Sequence, residues 1–515
     1  MTPDISSPRP GTADRDIALA EMKIARAGWA SSYFRSFSLD QIRKIAHAVA
    51  QAAHDKADFH AEWAVRETGY GVREHKKLKN ELSAFPLLDH YRDLDLVTPR
   101  LVPEKKIVEI PRPAGVVFAL VPVTNPISTL IYKTLLAILS RNAIVFSPHP
   151  GARECSLDAA RNLADAAEKA GAPSGLIQCV EKPSVPLVQR MMASDKIAVI
   201  MATGGGAMVR AAYSSSNPAL GVGPGNAVVY VDPSAKFDET ARRIVDSKSF
   251  DNSVLCTNES VLLTLDSCFG NMVRALRSAG AHICTEDDTA RLREYLFKDG
   301  KFNLAALGKS AVWIAEKAGI RAAKSARILV PLLENPNLDD LFLKEKLCPV
   351  LGMARVADFQ HALTLAKQIM RRGAGHSAAF HGEDSARLLA FAQAMPVYRV
   401  VVNAPSSQGA AGFATHLPPA FMVGTGFAGR SSIGENVGPQ HLVHWTRIAF
   451  NKDDAVPFGR FDLDTPAAHP AARADRADPP PARPATAPEP SGGLDRDLLR
   501  QLILEELKGI TGSST

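Results

Sequence analysis

From Gly115 onward the chain repeats one pattern: a short run of apolar residues, then a segment whose apolar residues recur every three or four positions. The runs at 115–121, 143–146, 177–180 and 197–201 have strand length and no polar alternation, as expected of strands covered on both faces. Helical segments lie between them at 155–170 and 185–193. Strands buried on both faces and joined through helices belong in a parallel sheet with right-handed crossovers. The pattern therefore predicts an α/β fold containing a doubly wound, nucleotide-binding sheet. A second alternating stretch at 253–418 predicts a second α/β domain, and two such domains place a site in the cleft between them.

The ends have a different character. Residues 16–84 read as a helical lead-in, followed by a β-rich segment around 107–110. The polar start, 1–14, has no apolar signal-peptide core, and no apolar run reaches the roughly 18 residues of a membrane span, so no membrane partner and a cytoplasmic location are expected. After Asn451 the composition shifts, and 465–493 is dominated by Pro, Ala, Arg, Asp and Glu, including Pro479-Pro480-Pro481. Such a segment cannot bury a core and reads as a linker. Beyond it, Leu498, Leu499, Leu502, Ile503 and Leu507 share one helical face. So short an amphipathic helix needs a partner surface to be stable.

The net charge of +6 comes from 60 basic and 54 acidic residues dispersed along the chain, which argues against a nucleic-acid partner. The cysteines, at 155, 179, 256, 268, 284 and 348, form no CxxC pair and show no zinc-site or disulfide spacing, so no metal is expected and a reducing compartment fits.

Four loops carry candidate chemistry. Cys256, in Phe250-Asp-Asn-Ser-Val-Leu-Cys256-Thr-Asn-Glu259, precedes an apolar run at 260–265, so its thiolate is placed at a strand edge to attack a carbonyl; alternatively it is a small buried hydrophobe. Ala202-Thr203-Gly204-Gly205-Gly206 follows a strand and precedes a helix, where bare backbone admits a dinucleotide or simply makes a tight turn. Leu220-Gly221-Val222-Gly223-Pro224-Gly225-Asn226 and Val121-Pro122-Val-Thr124-Asn125-Pro126 are loops of the kind that build sites on open sheets, or else a cap and a turn. The Asn125 amide or the Thr124 hydroxyl is a candidate donor to a developing oxyanion.

Across 64–453 these elements, with Ala64-Val-Arg-Glu-Thr-Gly69, Val145-Phe-Ser-Pro-His-Pro-Gly151, Ala170-Gly-Ala-Pro-Ser-Gly175, Ser249-Phe-Asp-Asn252 and Lys344-Glu-Lys-Leu-Cys-Pro-Val350, resemble the aldehyde dehydrogenase superfamily, specifically its CoA-acylating branch. The resemblance implies a cofactor-binding domain, an α/β catalytic domain and a small oligomerisation flap. It makes Cys256 the nucleophile, with Asn125 and Thr124 at the oxyanion. It places Val121, Pro122, Thr203, Gly204, Gly205, Gly206 and Gly223 beside the cofactor, Glu345 on the nicotinamide ribose, and His149 where hydrolytic members carry a lysine for the adenosine ribose. NAD is the expected cofactor, NADP an option, and coenzyme A the co-substrate.

One departure bears on the fate of the acyl group: hydrolytic relatives carry a glutamate base at the position of Gly221, so its absence implies deacylation by coenzyme A. The resemblance also implies a homodimer or homotetramer. The tail resembles peptides that dock enzymes to bacterial microcompartment shells, which would place the enzyme inside such a compartment with a shell protein as partner. The expected organisation is a disordered 1–14, a helical lead-in and cofactor domain at 15–230, a catalytic domain at 231–425, a return to the cofactor domain or oligomerisation region at 426–453, a linker at 454–493 and a targeting helix at 494–510. Acetaldehyde and propionaldehyde are the expected substrates. Sulfoacetaldehyde is the alternative, with Arg430 or His416 facing its sulfonate, and 406–411 and 413–429 lining the pocket.

Overall fold

The computed structural model describes residues 12–461, apart from Ala323, Asn335 and Ala374. Five helices open it: α1 (Thr12–Phe34), α2 (Leu39–Asp55), α3 (Ala57–Thr68), α4 (Arg73–Leu82) and α5 (Phe85–His90). The first begins at Thr12, inside the segment expected to be disordered. Helix α2 starts with a reciprocal cap: Ser38 Oγ accepts from the Gln41 N–H while the Gln41 side chain accepts from the Ser38 N–H. Its Ile42, Ile45, Ala46, Val49 and Ala53 form the expected apolar stripe. Helix α4 breaks that rule, because the side chains it buries are Lys76, Lys79 and Asn80.

Strands β1 (Arg100–Val102) and β2 (Ile107–Pro113) lead into a first sheet. Its elements are β3 (Val116–Val121), α6 (Pro126–Leu139), β4 (Ala143–Pro148), α7 (Arg153–Lys169), β5 (Ile177–Cys179), α8 (Val185–Met192), β6 (Val199–Thr203), α9 (Gly206–Tyr213) and β7 (Ala219–Val222). The strands are parallel in the order β5-β4-β3-β6-β7. Strand β3 is buried at every position, and α6 is buried on all sides from Pro126 to Ile138, packed between the sheet and α2, α4 and α7. That burial matches their uninterrupted apolar sequences.

The second sheet takes β8 (Ala227–Val231), then α10 (Phe237–Ser249), β9 (Glu259–Leu265) and α11 (Asp266–Ser278). An excursion follows: β10 (Ala281–Ile283), α12 (Glu286–Leu296), the hairpin β11 (Phe297–Lys298) and β12 (Lys301–Phe302), α13 (Ala311–Lys317) and β13 (Ile328–Val330), which pairs with β10. The chain closes the sheet with β14 (Leu332–Leu333), β15 (Gly352–Val356), α14 (Phe359–Gly373), β16 (Ala378–His381), α15 (Ser385–Ala394) and β17 (Val400–Val402). All pairs are parallel, in the order β14-β15-β9-β8-β16-β17. After α16 (Ser406–Gly409), β18 (Val443–Ala449) returns to β2 and completes an antiparallel ribbon with β1.

Two expected boundaries move. The cofactor domain ends before Ala227 rather than at 230, because β8 lies inside the second sheet. Only 223–226 separate it from β7, far too few for the crossover that parallel neighbours in one sheet require, so the strand has to join another sheet. The linker does not begin at 454: Lys106 Nζ donates to the carbonyls of Asp453 (2.7 Å) and Val456 (2.9 Å), and the ring of Phe450 packs on those of Phe458 and Phe461 at 5.3 and 5.8 Å. The remainder of the linker and the amphipathic helix at 494–510 lie outside the described residues. No described helix is long and apolar enough to cross a membrane.

Because α6 is closely packed on every side, Leu135→Ala, which empties a fully buried position, is expected to cost about 2–5 kcal/mol. The shift of the urea unfolding midpoint measures it, and a change below about 1 kcal/mol would show that the helix is not close-packed.

Candidate active site

The winding of the first sheet creates a crevice. From β3 the chain moves outward through β4 and β5, then crosses back to the other side of β3 to form β6 and β7. At that reversal the carboxyl ends of β3 and β6 are neighbours, with Leu120 beside Ala202, so the loops beginning at Val121-Pro122 and Thr203-Gly204 flank one opening. Thr203 Oγ1 is buried there without a hydrogen-bond partner among the described residues. Helix α9 starts behind Gly205 with no side-chain cap, leaving its first N–H groups for an anion. His149, half-buried at the end of β4, accepts the Gly151 N–H on Nδ1 at 3.0 Å. Burial pushes its pKa down to about 4, so the ring is neutral with its hydrogen on Nε2, facing outward as a donor. These residues fit a dinucleotide.

Cys256 lies half-buried in the turn just before β9, at the amino edge of the second sheet. Three residues leading to it, Asp251, Asn252 and Ser253, have φ of 50°, 49° and 67°, left-handed conformations that cost side-chain-bearing residues energy. A dense set of bonds holds them. The buried Asp251 carboxylate accepts from the Val72 N–H at 2.7 Å, from Lys76 Nζ at 3.1 Å and from Lys79 Nζ. Its backbone N–H donates to His75 Nδ1 at 2.9 Å, and Asn252 Nδ2 donates to the Gly308 carbonyl at 2.9 Å. Burial works to raise the Asp251 carboxyl, but the two ammonium groups outweigh it and hold it below the usual range.

The same lysines reach the oxyanion loop. Lys79 Nζ donates to Asn125 Oδ1, and Lys76 Nζ donates to the Thr124 carbonyl at 3.0 Å. Asn125 Nδ2 in turn donates to the Val254 carbonyl at 3.1 Å, so its amide sits against the turn carrying Cys256. Thr124 enters this network through its carbonyl oxygen rather than its hydroxyl.

The loop linking the two sheets closes the site from the other side. A Cβ on Gly225 would lie 2.2 Å from the Cys256 carbonyl oxygen and 2.6 Å from His376 Nε2, so only glycine fits there. The Gly225 N–H donates to Glu345 Oε1 at 2.8 Å. Space in front of Gly223 is open, with no atom within 4 Å of an added Cβ. Glu345 is half-buried beside the thiol and is not the exposed salt-bridging residue its sequence context also permits. Burial raises its pKa to about 8; burial first, and the Glu345 carboxylate second, raise that of the Cys256 thiol to about 12.

Several groups around the turn escaped the sequence reading. His376 is buried, bonded through Nδ1 to Ser377 Oγ at 2.9 Å, with Nε2 unpartnered among the described residues; burial and then the Arg399 guanidinium push its pKa down to about 3. Arg399 is itself buried and donates to the His376 carbonyl at 2.6 Å. Glu259, buried three positions after the nucleophile, accepts the Ser406 N–H at 3.0 Å, and burial raises its pKa to about 7. The only local signal for His376 was the glycine-flanked turn Gly373-Ala-Gly375 ahead of β16. Of the expected pocket residues, 406–407 lie under the catalytic turn, where the Ser407 carbonyl accepts from Thr257 Oγ1 at 2.8 Å, whereas His416 and Arg430 are exposed.

Gly221 is enclosed. A Cβ there would lie 2.6 Å from the Tyr213 ring and 2.8 Å from Val209 Cγ1. The Gly221 N–H donates to Tyr213 Oη at 2.9 Å, and Ser431 Oγ donates to the Gly221 carbonyl at 2.7 Å.

Comparison with known proteins agrees with this geometry. The aldehyde dehydrogenase family pattern matches residues 9–293. The chain is 37% identical over 437 residues to an aldehyde-alcohol dehydrogenase of Clostridium acetobutylicum, covering 83% of this chain and 50% of that one, so it spans about half the length of this relative. It is 33% identical over 446 residues to succinate-semialdehyde dehydrogenase (acetylating) of Clostridium kluyveri, covering 86% and 98%. Among solved structures, an acetylating aldehyde dehydrogenase from Geobacillus thermoglucosidasius superposes with a TM-score of 0.84 at 35% identity, covering 87% of this chain and 99% of that one. A propionaldehyde dehydrogenase from the fucose utilisation bacterial microcompartment of Clostridium phytofermentans gives 0.76 at 28%, covering 84% and 97%. One from Rhodopseudomonas palustris, with bound CoA and an acylated cysteine, gives 0.77 at 26%, covering 84% and 97%. With its sheet order, its buried cysteine turn and these relatives in agreement, the chain belongs to the aldehyde dehydrogenase family, on the side of its CoA-acylating members.

Proposed function

We propose that this protein oxidises a short aldehyde, acetaldehyde or propionaldehyde, to the corresponding acyl-CoA, using NAD or NADP and coenzyme A. The observation that carries the reading is an accessible nucleophile, Cys256, paired with a Gly221 position that the Tyr213 ring fills. The Cys256 thiolate adds to the aldehyde carbon, and the oxygen takes the negative charge facing the Asn125 amide and the Cys256 N–H. A nicotinamide bound at the Val121 and Thr203 loops supplies the acceptor for the hydride that leaves that carbon. The carbonyl re-forms as a thioester on Cys256. The coenzyme A thiolate then attacks the thioester, the Cys256 thiolate leaves, and the acyl group departs as acyl-CoA. Water is disfavoured as the attacking group because it needs a base, and the place of that base is occupied.

The tail supports a further part of the reading: a linker followed by an amphipathic helix at 494–510 suits an enzyme carried as microcompartment cargo and docked to a shell protein. The ribbon of β1, β2 and β18 is a suitable element for assembling a homodimer or homotetramer. Nothing near Cys256 favours a sulfonate, since His416 and Arg430 are exposed.

Cofactor reduction is expected with acetaldehyde or propionaldehyde only when coenzyme A is present, and acyl-CoA is the expected product. Cys256→Ala should lower the rate by at least about 10³-fold. Free acid formed at the same rate without coenzyme A would overturn the reading. Gly221→Glu is expected to create no hydrolytic activity and to lower acyl-CoA formation, because the new side chain collides with Tyr213; vigorous free-acid production by this variant would show that the Tyr213 ring yields readily. In the cofactor-free protein, alkylation of Cys256 by iodoacetamide should rise about tenfold per pH unit from pH 7 to 10, since a pKa raised to about 12 leaves the thiol protonated throughout that window. A plateau near pH 8 would contradict the electrostatics of the site.

A further inference from the structure

We propose that Lys79 and Asp251 are positioning residues for the oxyanion site, holding the Asn125 amide so that one N–H of its Nδ2 points at the oxygen of the substrate attached to Cys256. The inference rests on Cys256 and Asn125 being nucleophile and oxyanion donor, as in the reading above.

Both ends of the Asn125 amide are occupied in a way that permits one orientation. Oδ1 accepts from the Lys79 ammonium and Nδ2 donates one hydrogen to the Val254 carbonyl. Flipping the amide would set its NH2 against an ammonium and its oxygen against a carbonyl, two repulsive contacts. The second Nδ2 hydrogen is thereby fixed in direction, and the cation on Oδ1 polarises the amide into a stronger donor. Packing alone does not supply this order. A cavity of about 180 Å³, lined by Ala64, Lys76, Lys79, Asn80, Asn125 and Ser128, lies behind the amide.

Asp251 completes the arrangement. Its carboxylate accepts from Lys79 and Lys76, fixing Lys79 at the amide, and it caps the left-handed run that delivers Val254 and Cys256. Two ammonium groups and one carboxylate are thus withdrawn from water, an arrangement that well-packed apolar side chains often replace at no loss of stability. Stability alone does not account for it. Orientation of Asn125 does, because all three charges converge on the two loops that form the oxyanion site.

The test uses p-nitrophenyl acetate, which needs no aldehyde, nicotinamide or coenzyme A. The Cys256 thiolate attacks the ester carbonyl, an oxyanion forms at the same place, p-nitrophenolate leaves and the acetyl group stays on sulfur. The absorbance burst reports this acylation. Lys79→Met should slow the burst on the order of 10²-fold, with the KM for the ester changed less than about twofold. Alkylation of Cys256 by iodoacetamide, which forms no oxyanion, should be unchanged. In an Asn125→Ala background Lys79→Met should slow the burst no further, because its effect passes through that amide.

An equal slowing in the Asn125→Ala background, or alkylation falling in step with the burst, would overturn the proposal and leave Lys79 a structural residue. Should Lys79→Met fail to fold, Asp251→Asn takes its place in the same cycle with the same expected outcomes. If no aldehyde supports cofactor reduction but the burst shows this coupling, the substrate reading fails and the positioning role stands; aldehyde oxidation without the coupling gives the reverse.

Discussion

Gly225 approaches the Cys256 carbonyl so closely that no side chain fits between them, and the architecture of the site follows from that approach. The four residues between β7 and β8 must carry the chain from one parallel sheet to the other. They do so by crossing directly over the catalytic turn. The Gly225 N–H then meets Glu345, and its Cα faces the His376 ring, so groups from three distant segments gather around one cysteine. The carboxyl edge of the first sheet supplies Asn125, and the amino edge of the second supplies Cys256.

This junction is buried, and burial sets its chemistry. It raises the thiol and Glu345 and lowers His376. Left to themselves these groups are all neutral near pH 7, while a cluster of true charges, Lys76, Lys79 and Asp251, lies just behind the oxyanion loop. Fixed charge is therefore held in the supporting layer and not on the reacting atom. An enzyme that must accept coenzyme A as its second nucleophile has no use for a base aimed at water, and Tyr213, bonded to both backbone groups of Gly221, occupies the place where one would stand.

Much of this was legible one segment at a time. The apolar runs became β3, β4, β5 and β6 because a strand covered on both faces requires apolar residues at each position, a local property. Cys256 and the loops at 121–126 and 203–206 were found because sites on open sheets form at strand ends, which composition marks. The strand at 227–231 was assigned to the wrong domain for a topological reason: its sequence resembles that of its predecessors, and only the missing crossover forces it into another sheet. Helix α4 was unremarkable because lysines three residues apart normally face solvent, and nothing local says that both turn inward to a carboxylate 172 and 175 residues away.

The sequence thus carried the secondary structure, the identity of the nucleophile and the glycine in place of a water-activating base, because each depends on residue type at a single place. The environment of the nucleophile came from folding. The left-handed path through 251–253, the meeting of Gly225 with His376 and Cys256, and the direction of the Asn125 amide arise from contacts between segments far apart in the chain. Such contacts leave no periodicity to read, because they are set by where two sheets abut and by which polar groups must find partners once water is excluded.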